Sequence, residues 1–396
     1  MQINLPEHVN FILNTLQAAG FEAYIVGGCV RDIIRGVQPK DWDITTSATP
    51  LEAKANFLRT IDTGIKHGTI TVLLDGQPYE VTTYRIDGEY LDNRRPQTVE
   101  FTTNIEEDLS RRDFTMNAIA YSPITGFVDP FGGQEDINRG LIRCVGDPLH
   151  RFGEDALRML RAIRFAAVTG FDINKDILTA ISVLKATLQN ISPERIREEF
   201  GKLITSQNPE TVVLLDKTGL LPFVLGNRDY EGDIIQAAHW LTICPSQESM
   251  RLALFLYNQI DCEKLLQAMR FDNKTAKEAA MLVRLLYEEL PANRYQIKKI
   301  LRFVPQALFE NFLTLNEIIS PNNNVAHIRS EVQDIVSKAE CFTLKNLAIN
   351  GVDLKALGIE QGEAMGKTLE WLLDEVMQNP TLNQKKTLLE CIANKN

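Results

Sequence analysis

The chain has 396 residues, 42 Lys and Arg against 52 Asp and Glu, a formal net charge of −10, and an ordinary 44% hydrophobic and 24% charged composition. That length allows several domains and a large core, while six scattered cysteines without a C-x-x-C pair exclude a disulfide scaffold and no apolar run reaches membrane-spanning length. A reducing cytoplasm fits, and the acidity taken alone argues against a nucleic-acid partner, because phosphate neutralisation needs Lys and Arg.

Met1 to Gly20 holds Glu7 but no Lys or Arg, and spaces Val9, Ile12, Leu13 and Leu16 as an amphipathic helix rather than a signal peptide. Tyr24-Ile25-Val26 reads as a short strand ending at Gly27-Gly28. Glycines let backbone N–H groups approach an anion, and Val30-Arg31-Asp32-Ile33-Ile34 reads as the start of a helix whose positive end attracts phosphate. Gly28 and Arg31 are thus candidate phosphate ligands. In Asp41-Trp42-Asp43-Ile44, strand alternation predicts both carboxylates on one face and Trp42 and Ile44 on the other. Paired hard oxygen donors suit Mg²⁺, which binds one or two carboxylates together with substrate phosphates. A glycine turn or an Asp-x-Asp alone is commonly structural; their succession points to a nucleoside triphosphate held against metal.

Ile70 to Leu74 and Tyr79 to Tyr84 read as a hairpin joined by Asp75-Gly76-Gln77-Pro78. Arg111-Arg112-Asp113 precedes an apolar run that reads as helical; guanidinium forks bind phosphate, and the aspartate can accept from a ribose hydroxyl. The bland alternative is a solvated helix N-terminus. Strand signals fade after Val145, and beyond Pro148 the pattern is helical, with Leu157, Leu160 and Ile163 on one face and a helix start at Ser192-Pro193-Glu194, where serine caps. Arg139 to Lys202 holds eleven Lys/Arg against eight Asp/Glu, a net of +3 that would confine RNA to one surface. Only Ser320-Pro321-Asn322-Asn323-Asn324 reads as a linker.

Within Glu154 to Arg164, a continuous helix would set Asp155 beside Arg158 and continue Arg158, Arg161 and Arg164 as a basic stripe opposite the leucines. A salt-bridged solvated face is one reading. The other is chemical: adenine and cytosine present an amino donor beside a ring-nitrogen acceptor, guanine and uracil the reverse. An aspartate acceptor beside an arginine donor matches A and C, with about 1–3 kcal/mol of discrimination per bidentate contact.

In this order and spacing the three clusters resemble the class II tRNA nucleotidyltransferases, the CCA-adding enzymes of the shorter bacterial type. The resemblance runs from about Tyr24 to Lys202 and more loosely through Leu347-Ala348-Ile349-Asn350-Gly351, Gly358, Gly362 and Gly366. It implies a polymerase β-like α/β nucleotidyltransferase head with a mixed or antiparallel sheet, followed by an all-α neck, body and tail. The expected bounds are 1–145 for the head, 146–205 for the neck, 206–320 for the body and 321–396 for a tRNA-binding tail. The implied reaction adds C, C and A to the tRNA 3′ end from CTP and ATP, by two-metal phosphoryl transfer without a nucleic-acid template. Carried over by position, Asp41 and Asp43 would hold catalytic Mg²⁺, Gly28 and Arg31 the triphosphate, Arg112 the nucleotide and Asp113 its ribose. Asp155 and Arg158 would read the base, Glu154 would steady Arg158, and Arg161 and Arg164 would complete the pocket; Glu80 is a candidate third acidic group. The helical half would grip the tRNA acceptor and T-stem by shape and phosphates. A homodimer stays open and no membrane partner is expected.

Gly64-Ile65-Lys66-His67-Gly68-Thr69 resembles the CCA enzymes, and Arg85 to Pro96 resembles the flexible loop needed for adding A. No His-Asp phosphohydrolase signature appears, and the five histidines lack zinc spacing. The alternatives are a poly(A) polymerase, an A-adding-only tRNA nucleotidyltransferase and, from another class, a non-catalytic nucleotide or RNA binder on the same fold.

Overall fold

The computed structural model describes residues 3–88, 98–259, 261–323 and 325–395. The chain forms two compact units, Met1–Thr242 with Asn258–Asp272, and Ile243–Tyr257 with Asn273–Asn396.

The first unit opens with helix α1 (Glu7–Ala18), which buries the expected Val9, Ile12, Leu13 and Leu16. Strand β1 (Ala23–Val26) follows, then helix α2 (Gly28–Ile34), strand β2 (Asp43–Thr46) and helix α3 (Pro50–Ala55). Strands β3 (Thr60–Gly64), β4 (Thr69–Leu74) and β5 (Gln77–Thr83) complete one half of the sheet. A separate ribbon pairs β6 (Arg85–Asp87) antiparallel with β7 (Val99–Phe101). The remainder of the expected A-adding loop, Glu89 to Pro96, lies outside the described residues. Helix α4 (Ile105–Ser110), strands β8 (Ala120–Ser122) and β9 (Gly126–Val128) and helix α5 (Gly133–Arg139) close the head.

The seven-stranded sheet runs β3-β4-β5-β2-β1-β8-β9. It is mixed, as the resemblance implies: β2 and β5 are parallel, the other neighbours antiparallel. β1 is buried along its whole length, as its β-branched and aromatic sequence suits. The β4–β5 hairpin is tighter than the sequence suggested. Leu74 pairs with Gln77, so only Asp75 and Gly76 turn, both at positive φ (49° and 80°), the backbone a two-residue hairpin turn requires; Gln77 and Pro78 belong to the strand.

Two other elements depart from the sequence reading. The apolar run after Asp113 is not a helix but one 3₁₀ turn, Thr115–Asn117, feeding β8. The helix expected through Glu154 to Arg164 is two helices, α6 (Pro148–Glu154) and α7 (Leu157–Thr169). Asp155 breaks it: its carboxylate accepts the Leu157 N–H at 3.1 Å, a local bond that competes with the helical ladder. A parallel pair, β10 (Leu141–Ile142) and β11 (Asp172–Ile173), brackets these helices. Helix α8 (Lys175–Leu184) packs on α6, and α9 (Pro193–Ile204) lies along α7. Proline opens α9 as expected, but the Ser192 hydroxyl makes no cap bond; its carbonyl takes the Arg195 N–H at 3.1 Å.

The second unit is helical, its longer members being Asn273–Leu286, Gln306–Ile319, Val325–Ser337 and Glu363–Gln378. A core in the C-terminal part of its sequence gathers Leu347, Ile349, Leu354, Leu372, Leu373, Val376 and Leu388. Lys298 is fully buried there, donating to the Met377 carbonyl at 3.0 Å and paired with Glu340 at 2.6 Å. Among the described residues, no helix is long and apolar enough to cross a membrane.

Candidate active site

Gly27 joins β1 to α2 with φ 77° and ψ −126°, a backbone open to glycine alone at little cost. A Cβ on it would stand 3.0 Å from Arg112 Nη1, 3.8 Å from the Asn117 carbonyl oxygen and 3.9 Å from an Asp43 carboxylate oxygen, so three chain segments converge there. Gly27→Ala should therefore cost about 1–3 kcal/mol of backbone strain and displace Arg112. A lowered melting temperature together with a raised KM for nucleotide is the expected pair; an unchanged KM would show that the approach has no role at the site.

Gly28, Arg31, Asp41 and Asp43 line one cleft of about 530 Å³. Asp43 opens β2, whereas Asp41 sits in the bend before it, so strand alternation does not place Asp41. The two carboxylates are neighbours nevertheless. Although Asp43 is exposed, crowding of its carboxyl by protein atoms raises its pKa, Arg112 draws it down and the Asp41 charge pushes it up. Trp42 points elsewhere, into a separate hollow with Ile3, Leu5 and Ile33. Two exposed carboxylates that repel each other, in the cleft that Gly28 and Arg31 also line, are a donor set that a hard divalent cation would satisfy. Glu80 stands opposite Asp43 on β5, yet among the described residues no group of three or more acidic, His or Cys side chains is placed to share a metal.

Behind the cleft runs a continuous polar network. Arg31 donates to Asp32 (2.9 Å) and to Asn117 Oδ1 (2.9 Å), and Asn117 Nδ2 donates to Asp113 Oδ1 (3.1 Å). Arg161 grips Asp113 Oδ2 (2.9 and 2.8 Å) and reaches Glu199 Oε1 (3.1 Å), whose other oxygen takes Arg164 Nε (2.7 Å). Phe165 lies among these cations, with Arg31, Arg161 and Arg164 guanidiniums 5.2, 5.3 and 3.5 Å from its ring centre. Burial alone would raise the Asp113 carboxyl, but Arg161, Asn117 and Arg158 outweigh it and hold it at about 2. Asp113 is thus buried with both oxygens engaged, Oδ1 also taking the Phe114 N–H at 2.8 Å.

Arg112 pairs with fully buried Asp108 at 3.3 Å, and its Nε is buried without a hydrogen-bond partner among the described residues. Arg111 is tied to Asp108 at 2.7 Å. Arg158 contacts Glu154, as the resemblance implies, and donates to the Arg151 and Arg111 carbonyls at 3.1 and 3.0 Å. Asp155 does not lie beside it on a helix; the break turns it to Arg195 of α9, at 2.7 and 3.3 Å. The expected basic stripe is therefore an internal lattice of ion pairs. Arg143, Arg151, Arg161, Arg164 and Arg195 of this region are each paired with a carboxylate of the first unit.

Sequence reasoning missed Glu199, Arg195, Asn117 and Phe165, together with Arg35 and exposed Lys40 on the wall of the cleft. Lys40 carried a signal, since it adjoins Asp41.

Residues 23–143 match the family model of the poly A polymerase head domain. Residues 170–229 match that of the RNA and SrmB binding site of polymerase A, and residues 245–392 that of tRNA nucleotidyltransferase domain 2. A CCA-adding enzyme of Geobacillus sp. is 36% identical over 391 residues, covering 97% of this chain and 96% of its own length. One from Lactiplantibacillus plantarum is 38% identical over 390 residues, covering 96% and 94%. The chain belongs to the CCA-adding enzyme family. It is a tRNA nucleotidyltransferase of that family, and with the family comes use of a divalent metal. The crystal structure of the Bacillus stearothermophilus CCA-adding enzyme in complex with CTP superposes with a TM-score of 0.85 at 30% identity, over 99% of each chain. A Thermotoga maritima CCA-adding enzyme complexed with tRNA shares the fold, with a TM-score of 0.68 at 21% identity over 100% of this chain and 97% of that one.

Proposed function

We propose that this chain completes tRNA 3′ ends by adding C, C and A from CTP and ATP, choosing the nucleotide with its own side chains. The observation that carries the reading is the convergence of Gly28, Arg31, Asp41 and Asp43 on one cleft, with Gly27 and Arg112 meeting beside Asp43 and a polar network running behind to α7. Asp41 and Asp43 would hold Mg²⁺, which when bound supplies activation of the attacking 3′-hydroxyl and neutralisation of the leaving pyrophosphate.

The protein's own groups supply the rest. Gly28 and Arg31 bind the triphosphate, Arg31 being held in aim by Asp32 and Asn117. Arg112 brings its Nη1 to the Gly27 turn beside Asp43, where it offers a cation to the nucleotide. Asp113 enters the pocket through Arg161, whose orientation it fixes, and Arg164 extends the same wall. Asp155 accepts from the amino group of C or A, and Arg158, anchored by Glu154, donates to the ring nitrogen. A G or U in that place would set donor against donor and leave buried polar groups unpaired. The domain bounds 1–145, 146–205, 206–320 and 321–396 follow the same reading, with the tail holding tRNA and the cytoplasm as location. Six cysteines in thiol form, five of them buried, suit a reducing compartment.

The test is to incubate the protein with tRNA transcripts lacking the terminal CCA, and with transcripts ending in CC, adding CTP, ATP or both in Mg²⁺, and to size and sequence the products. Two Cs from CTP alone, and one further A when ATP is added, is the expected result. A long A-tail would make the chain a poly(A) polymerase, addition of A only to transcripts already ending in CC an A-adding enzyme, and no extension a binder.

A further inference from the structure

The two residues proposed to read the base are held in different ways. Arg158 is a residue of α7, fixed by its helix and by three acceptors from Glu154, Arg151 and Arg111. Asp155 lies in the break between α6 and α7 with extended backbone, φ −134° and ψ 105°, so no helix dictates its direction. Its direction comes from elsewhere. Arg195 of α9 spans both carboxylate oxygens, Nη2 to Oδ2 at 2.7 Å and Nη1 to Oδ1 at 3.3 Å, while the Leu157 N–H meets Oδ1 at 3.1 Å.

We infer that Arg195 is a specificity-determining positioning residue, which sets the plane and place of the Asp155 carboxylate against the incoming base. The inference rests on Asp155 being the base-reading acceptor. A guanidinium fork on two oxygens fixes the orientation of a carboxylate as well as its position, which a point-charge lysine does not. A carboxylate offers about four lone-pair sites; the three donors present leave room for one more, the amino hydrogen of C or A. Arg195 is itself partly open, its side chain 31% exposed, so the pair is not sealed in a core. The same helix carries Glu199 to Arg161 and Arg164, so α9 acts as a backing plate for the selecting helix.

The experiment compares kcat/KM for CTP, ATP, UTP and GTP on tRNA lacking CCA, using the full-length chain, R195Q, R195K, D155A and the R195Q/D155A double variant, with a melting curve for each. R195Q should lose about tenfold or more of the preference for CTP over UTP, the scale of one bidentate contact. R195K should lose part of it, and the double variant should be no less selective than D155A alone, because both changes disable one device. A residue that merely staples two helices would depress all four nucleotides alike and leave their ratios unchanged. If R195Q keeps its selectivity while D155A loses it, the inference falls and the base-reading role of Asp155 stands. If D155A keeps it as well, that role falls and takes the inference with it. If R195Q does not fold, R195K decides: full selectivity with lysine would overturn the need for the fork, and reduced selectivity in a folded R195K would support it.

Discussion

Asp41→Ala should abolish nucleotide transfer, by on the order of a thousandfold or more, without unfolding the protein. The first half follows from charge: several kcal/mol of transition-state stabilisation pass through a metal site, and each 1.36 kcal/mol is a factor of ten. The second follows from placement, since Asp41 is exposed in a bend and surface substitutions of that kind shift stability by about 0.5 kcal/mol or less. Asp41 also pushes the Asp43 carboxyl up, so in the variant Asp43 should titrate lower than in the parent. Single-turnover extension of a tRNA lacking CCA, run beside a melting curve, checks both halves. Normal transfer by a folded Asp41→Ala protein would remove these carboxylates from the mechanism.

Asp113→Ala should be damaging in a different manner, to stability first. The carboxylate is buried and takes hydrogen bonds from Arg161, Asn117 and the Phe114 N–H. Removing it strands a partly buried guanidinium, a class of change that costs about 3–5 kcal/mol. Because Arg31 reaches the same network through Asn117, transfer should fall too, chiefly as a raised KM for nucleotide. The pH dependence has a definite sign. Folding lowers the Asp113 pKa from 3.8 to about 2, so the folded form binds fewer protons there than the unfolded form. The resulting stabilisation, on the order of 2 kcal/mol, is complete above the unfolded value and disappears as pH falls through 3.8 towards about 2. Denaturant melts of Asp113→Asn and the parent at several acid pH values should converge at the low end. A constant difference across that range would show that the ionised form of Asp113 carries no folding energy.

What the sequence made legible was whatever its residues announce to their near neighbours. Tyr24-Ile25-Val26 before two glycines marked the strand and turn, Val9 to Leu16 marked α1, and the Asp-Gly pair marked the hairpin, because each rests on local backbone chemistry. The cluster residues were recognisable by type and spacing. Their partners were not. Glu199 and Arg195 belong to a helix whose charges look like an ordinary solvated face, and only tertiary packing brings them to residues some forty positions away. The break at Asp155 was misread for the opposite reason. A helical period was present on both sides of it, and an aspartate whose side chain bonds the backbone two residues on leaves little trace in that period.

The interruption between α6 and α7 bears on how this stretch tolerates changes of length. Within five consecutive positions Glu154 and Arg158 meet each other while Asp155, between them, turns to Arg195, and both arrangements depend on the count of residues between them. One residue added to or dropped from a helix rotates everything after it by roughly 100°. A single-codon deletion at Ala156 would therefore swing α7 past Asp113, Glu199 and the arginine carbonyls together, though no charged group had been lost. Substitutions here can be partial; insertions and deletions cannot, and drift among descendants of this chain should leave the spacing of the segment intact long after its spelling has changed.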